Sequence, residues 1–382
     1  MSILPSQRHL FDIPERIAYF NCAYYSPQLN ESQVRLVAGV QAKGRPWERI
    51  PGDFFDDAET IRRSCSELFG GDADGYAVVH SASYGLSTAA RAIEPHLKPG
   101  DRILVMADEF PSNVLPWQRT ARETGASLVT VAAPDNGNWT QAVLDRIEPG
   151  VKVVAASTCR WTDGAHVDLQ PISKACIDHG IALVVDATQS LGAIPCSMAE
   201  IAPDFLVAAG YKWLLGPYGF GMLYVSARWR GARPLEESWL ARLNADNFTA
   251  LADYSDAYMS GARRFETGEK CTPTILPGAI AALEQIKAWG IDNIAATLSA
   301  VNARIAGHLE RLGFELPPEA QRSAHMFGAL IPATYRGNLV AELRQREIYV
   351  SQRGNALRFA PHLHVNQQDV DRMLDVLDAL TK

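Results

Sequence analysis

Between about residues 76 and 226 the chain returns seven times to a short apolar run rich in Val, Leu and Ala: YAVVH, RILVM, SLVTVA, VKVVAAS, IALVVD, DFLVAAG and FGMLYV. A strand that is apolar on both faces must be covered on both, so these runs belong between two helix layers. Most of them alternate with helix-length stretches, and that alternation makes a mostly parallel sheet, an α/β fold, the natural solution. FGMLYV follows closely on DFLVAAG, which allows an antiparallel pairing there. The intervening helices show one apolar stripe each: Ile61, Cys65 and Leu68 before a Gly70-Gly71 stop, and Leu86, Ala89, Ala90 and Ile93 before Pro95. From about residue 273 the pattern shifts to longer helical segments, a strand-like HMFGALIP, and a closing helix with Val370, Met373, Leu374 and Leu377 on one face. The expected organisation is a large domain over residues 20–272 and a smaller α+β domain from residues 1–19 and 273–382, the two sharing a cleft.

Other properties of the chain exclude whole classes of function. With 382 residues it is too long for one small core, and a formal net charge of -7 provides no basic stripe to neutralise a nucleic-acid backbone. No stretch reaches the roughly 20 apolar residues that cross a bilayer, and MSILPSQRHLFDIPER has no apolar core behind a basic start, so a cytoplasmic location is expected. Six cysteines lie far apart without a C-x-x-C pair. Buried thiols, rather than a metal site or a disulfide framework, are the reading that fits.

The chemistry concentrates in VVDATQSLG and DFLVAAGYKWLLGPYGFGMLYV, where Asp186 ends an apolar strand and Lys212 sits between a strand and a Gly-rich turn. Singly, a lysine after a strand is ordinarily a surface residue and an aspartate at a strand end a helix cap. Together they suit pyridoxal 5'-phosphate (PLP), which needs an amine for its aldehyde and a carboxylate to keep its ring nitrogen protonated. A second element, VVHSASYGLSTAARAI, reads as a strand, a turn of small residues and a helix, an arrangement that points N–H groups and hydroxyls at an anion. Ser83 and the amide of Ala82 are the candidates for the cofactor phosphate; the competing reading makes Ser83 an ordinary N-cap.

At these motifs the chain resembles the PLP-dependent aminotransferase class V family, whose members include cysteine desulfurases, kynureninase and isopenicillin N epimerase-like proteins. The likeness runs from YFNCAYYSP through SASYGLS, EFPSNVLPW, VVDATQS, GYKWLLGPYGFG and RRFETG to LRFAPHLHVNQQDVD. It implies the PLP-dependent transferase fold (type I), a Schiff-base lysine at Lys212, a pyridinium partner at Asp186 and a hydrogen bond from Gln189 to the ring hydroxyl. It also implies that Arg358 binds the substrate α-carboxylate. Members are usually homodimers with shared active sites, so RRFETG is expected to reach the partner's phosphate site, helped by Arg264.

The chain departs from the desulfurase pattern in several places. Where desulfurases have an imidazole over the ring, this chain has Phe110, which can stack but cannot carry a proton. The loop EIYVSQRGNALRF contains no cysteine, so no thiolate there could accept sulfur. Tyr211 before the lysine resembles the kynureninase pairing and offers a hydroxyl to the phosphate. The usual asparagine in the strand before the aspartate is matched to Thr158. Glu269 falls where a threonine is common, and is expected either to point away from a phosphate or to be matched out of register by one residue. Trp161, His166 and Tyr24 are further candidates for the substrate pocket.

The expected activity is that of a PLP enzyme acting on the amino group or Cα of a small amino acid, of aminotransferase class V type. The alternatives are an epimerase, a Cβ–S lyase and, from a different class, a non-catalytic PLP-binding protein.

Overall fold

The computed structural model describes residues 2–381. All seven apolar runs are strands of one sheet. In chain order the strands of the molecule are β1 (Ala18–Tyr19), β2 (Tyr76–Val79), β3 (Arg102–Met106), β4 (Ser127–Val131), β5 (Val151–Ser157), β6 (Ala182–Asp186), β7 (Phe205–Ala209), β8 (Gly221–Val225), β9 (Phe327–Leu330), β10 (Ile348–Tyr349), β11 (Ser351–Arg353) and β12 (Ala356–Phe359). The large sheet runs β2-β8-β7-β6-β5-β3-β4. Only β8 is antiparallel to its neighbours β2 and β7; the other pairings are parallel.

Side chains along these strands alternate between two cores, as the period of two requires. Tyr76, Val78, Leu104, Met106, Leu183 and Val185 enter one core, beneath the helices Asp56–Phe69, Leu169–His179 and Leu276–Trp289. Ala77, Val79, Ile103, Val105, Val184 and Val207 enter the other, beneath Ala82–Ile93 and Leu115–Thr124. At the edge, β4 shows Ser127 and Thr130 to solvent. The Asp56–Phe69 helix ends where expected, on Gly70 and Gly71, both at positive φ (77° and 71°), a region open to glycine.

A third core gathers residues from both ends of the chain. Ala18 and Phe20 pack with Ile305, Leu309, Phe327, Leu357, Met373 and Leu377, around the sheet β11-β12-β9. The Leu276–Trp289 helix lies instead against Asn30–Lys43 and Asp56–Phe69 in the first core, across the division at residue 273 read from the sequence. Its buried face, with Ala279, Ala282, Leu283 and Ile286, is apolar almost all round.

The N-terminal segment straps the two parts together. β1 pairs in parallel with β10, Ala18 opposite Ile348. Phe20 N then donates to Tyr349 O and Cys22 N to Ala360 O, before Ser26 N and Oγ both donate to Tyr211 O (3.1 and 3.0 Å). Among the described residues no helix is long and apolar enough to cross a membrane. All six cysteines are free and buried.

Candidate active site

A cavity of about 240 Å³ opens where the parallel strands end. Its wall takes Ser81, Ala82 and Ser83 after β2, Glu109 and Phe110 after β3, Ser157 from the end of β5, Asp186 and Gln189 from the end of β6, and Tyr211 and Lys212 after β7. Carboxyl ends of strands are where an open α/β sheet leaves room for a ligand. Lys212 is presented by the β7–β8 loop, which closes through Gly210 N donating to Phe220 O and Gly216 N to Gly210 O (both 2.8 Å). Gly210 is required there, since a Cβ on it would stand 2.2 Å from the Phe220 ring.

Lys212 is 7% exposed. Burial pulls its amine down to about 8, while the nearby Asp186 charge pulls the other way. Asp186 accepts from Thr188 N at 2.9 Å. Its carboxyl is pushed up by burial and held back by Thr188 and by Lys212. Gln189 accepts from Trp213 Nε1 (3.0 Å) and donates to Ala23 O (3.1 Å), which fixes its plane and leaves one amide hydrogen for a ligand. Beneath it, His325 hydrogen-bonds to Gln189 O through Nε2, and its ring meets Trp213 edge-on at 4.4 Å.

The Ala82–Ile93 helix points its N-terminus into the same cavity. Its N-cap is Ser81, whose hydroxyl accepts from Tyr84 N at 3.1 Å. Ser83 is therefore a first-turn residue rather than the cap, and its hydroxyl lies 2.9 Å from that of Ser81. First-turn amides with two hydroxyls beside them make a phosphate site. Phe110 is 40% exposed and its ring centre lies 5.7 Å from Lys212 Nζ. Trp161 also lines the wall, edge-on to Phe110 at 5.5 Å, with its Nε1 donating to Asp108 O at 2.8 Å.

Arg358 is buried just behind Trp161. Nε donates to Ser351 Oγ at 3.1 Å and Nη1 to Trp161 O, while Nη2 is buried without a partner. An orphaned guanidinium nitrogen behind the cavity wall suits an incoming carboxylate.

Three sequence-derived candidates do not reach the cavity. Thr158 follows Ser157 in extended chain and so faces the other way, its hydroxyl donating to Ser190 Oγ. Tyr24 is 61% exposed and sits over Ser351 and Arg353 outside the cavity. His166 turns to solvent while its backbone N donates to Gln321 O. Glu269, at φ 56°, is exposed and does not line the cavity. Several lining residues went unread, Ser157 and Glu109 among them. Ser157 sits one position from the residue chosen in that strand. Glu109, next to Phe110, is buried with Oε1 accepting from Phe110 N, and its carboxyl is pushed up by burial and by Asp186.

The arrangement offers PLP an amine of lowered basicity, a carboxylate, a phosphate cradle and a flat aromatic ring, and so fits that cofactor. A family model for aminotransferase class-V matches residues 41–372. The chain is 26% identical over 341 residues to a probable cysteine desulfurase of Pyrococcus abyssi, covering 85% of this chain and 83% of that protein. It is 25% identical over 343 residues to isopenicillin N epimerase of Streptomyces clavuligerus, covering 84% and 83%. Among solved structures, the apo cysteine desulfurase of Thermococcus onnurineus NA1 superposes with a TM-score of 0.86 at 21% identity, over 100% of this chain and 99% of that one. A C-DES variant with glycine covalently linked to its PLP cofactor gives 0.87 at 18%, over 98% and 99%. The fold is the type I PLP fold, and the cofactor is pyridoxal 5'-phosphate. With its α/β sheet, its strand-end cavity and a family match over most of its length, the chain belongs to the aminotransferase class-V family of PLP-dependent enzymes.

Proposed function

We propose that this enzyme transaminates a small amino acid, with Lys212 as the one residue that both carries the cofactor and moves the substrate proton. The observation that carries the reading is the shared burial of Lys212 and Asp186 in one cavity, with the unpaired Arg358 nitrogen behind its wall. Bound PLP supplies an electron sink that makes the substrate Cα–H acidic. Asp186 would keep the ring nitrogen protonated, Ser81, Ala82, Ser83 and Tyr211 would hold the phosphate, and Gln189 would hold the ring hydroxyl. Arg358 would orient the substrate by its α-carboxylate, and Phe110 would stack on the ring and keep water off it.

With a phenyl ring at Phe110, Lys212 Nζ handles the proton alone. Lys212 Nζ would take the substrate Cα proton and carry it on one face of the bound substrate, which asks for one base only. Epimerisation is the second reading, favoured by the likeness to isopenicillin N epimerase across most of both chains. A Cβ–S lyase is third. A persulfide-forming desulfurase is disfavoured: residues 346–358 hold no cysteine, and burial pushes the Cys159 thiol, on the cavity wall, up to about 12. The buried free thiols suit a reducing compartment, the cytoplasm. We further propose a homodimer, in which RRFETG, which packs on β2 without lining its own chain's cavity, serves the partner's.

The test is an absorbance spectrum of the purified protein and of Lys212→Ala, before and after single L-amino acids. A band near about 420 nm in the wild type, lost in the variant, is expected. Its absence after incubation with PLP would sink the reading. Products then separate the reactions: a 2-oxo acid formed only when an amino acceptor is supplied, an inverted stereocentre, or pyruvate with sulfide.

A further inference from the structure

Behind the cavity wall stand two guanidinium groups where one α-carboxylate needs only one. In the β11–β12 hairpin Ser351 lies opposite Arg358 and Arg353 opposite Ala356. Residues two apart on a strand share a face, so Arg353 is the diagonal neighbour of Arg358, within reach of the same ligand. Both groups bracket Trp161. Arg358 Nη1 donates to the Trp161 carbonyl, and the Arg353 guanidinium centre lies 5.6 Å from the Trp161 ring centre.

Neither arginine forms an ion pair among the described residues. The contacts that Arg353 makes are Nη1 to its own neighbour's carbonyl, Gln352 O, at 2.8 Å, and the Trp161 ring; its Nε is buried without a partner. Burial disfavours the Arg358 charge, and repulsion from Arg353 adds to that. A buried cation beside another is costly to hold, and Arg358 lacks the anion that would offset the cost, while Arg353 has no acidic partner among the described residues. A substrate with a single carboxylate satisfies Arg358 and leaves Arg353 unpaired on the outer side of Trp161, in the open groove that it shares with Tyr24.

We propose that the enzyme selects an amino acid carrying a second anionic group on its side chain, a carboxylate or another oxyanion, with Arg353 receiving that group while Arg358 takes the α-carboxylate. This rests on the reading above that Arg358 binds the α-carboxylate. Trp161 spaces the two sites and keeps the side chain of the substrate against an apolar surface. Arg353, at the turn of the hairpin, is a specificity residue and touches none of the atoms at which bonds change.

The test uses the PLP-loaded enzyme and inert acids, read by calorimetry so that turnover is not needed: succinate against butyrate, and glutarate against pentanoate. In the wild type at least one diacid is expected to bind about tenfold or more tightly than its monoacid, the size of a charge-assisted pair. Arg353→Gln should erase that ratio while leaving monoacid affinity within about twofold, and Arg353→Lys should restore part of it. Equal binding of diacid and monoacid by the wild type, or a ratio that survives Arg353→Gln, overturns the proposal. Arg358→Gln serves the underlying reading separately: if it weakens neither acid, the α-carboxylate assignment falls, while the Arg353 ratio is still judged on its own.

Discussion

Burial sets the reactivity of Lys212. An amine pulled down to about 8 keeps a minor but appreciable neutral fraction near physiological pH, far more than an ordinary lysine, and only the neutral amine attacks an aldehyde. The rate at which the apoprotein captures PLP should therefore rise with pH and level off above about 8. Asp186 opposes the shift by favouring the charged amine, so in Asp186→Asn the midpoint should move to lower pH. Stopped-flow absorbance across pH 6 to about 10 checks both, and an unmoved midpoint in the variant would break the coupling. These two residues were legible in the sequence because each follows an apolar strand and the strand fixes where its end points. Thr158 was misplaced because one step along an extended chain reverses the side chain. Glu109 gave a signal only through its neighbour Phe110, and His325 gave none, since nothing in SAHMFG says that its ring will lie under Gln189.

Among the elements, the Ala82–Ile93 helix couples fold to site most directly. Gly85 lets it lie close on β7: a Cβ added there would stand 2.8 Å from Val207 Cγ1. Gly85→Val should force the helix away from the sheet, costing about 1–3 kcal/mol in urea unfolding. It should also loosen Ser81, Ala82 and Ser83 from the phosphate, so that PLP is lost faster on dialysis. A variant that unfolds like the wild type and retains PLP equally well would refute the linkage. The seven strands and their order of helices were legible from periodicity, because runs apolar on both faces allow one kind of layer. The allegiance of the Leu276–Trp289 helix was not legible, since a helix apolar almost all round does not say which neighbour it covers.

At the scale of the whole molecule, the mouth of the cavity carries an apolar rim. Tyr218 is 67% exposed and stacks with Tyr25 at 6.0 Å, beside Tyr211 at 4.9 Å. Such a rim suits coverage by a second copy of the chain. Sedimentation should give twice the mass of one chain, and Arg264→Glu should weaken PLP retention without changing the secondary structure. A monomer at micromolar concentration that holds PLP fully would refute the shared site. Sequence alone reached the dimer only by resemblance, because the rim tyrosines lie far apart in the chain. The strap from β1 to Tyr211 has a further consequence, for biosynthesis. Ala18 leaves the ribosome early, yet its partner Ile348 is made more than three hundred residues later. At about 5–20 residues per second that interval lasts tens of seconds, during which the segment meant to brace Tyr211 and Gln189 has no strand to pair with. The large sheet can form in that time, but a catalytically competent pocket is a late event, completed only when the two ends of the chain meet.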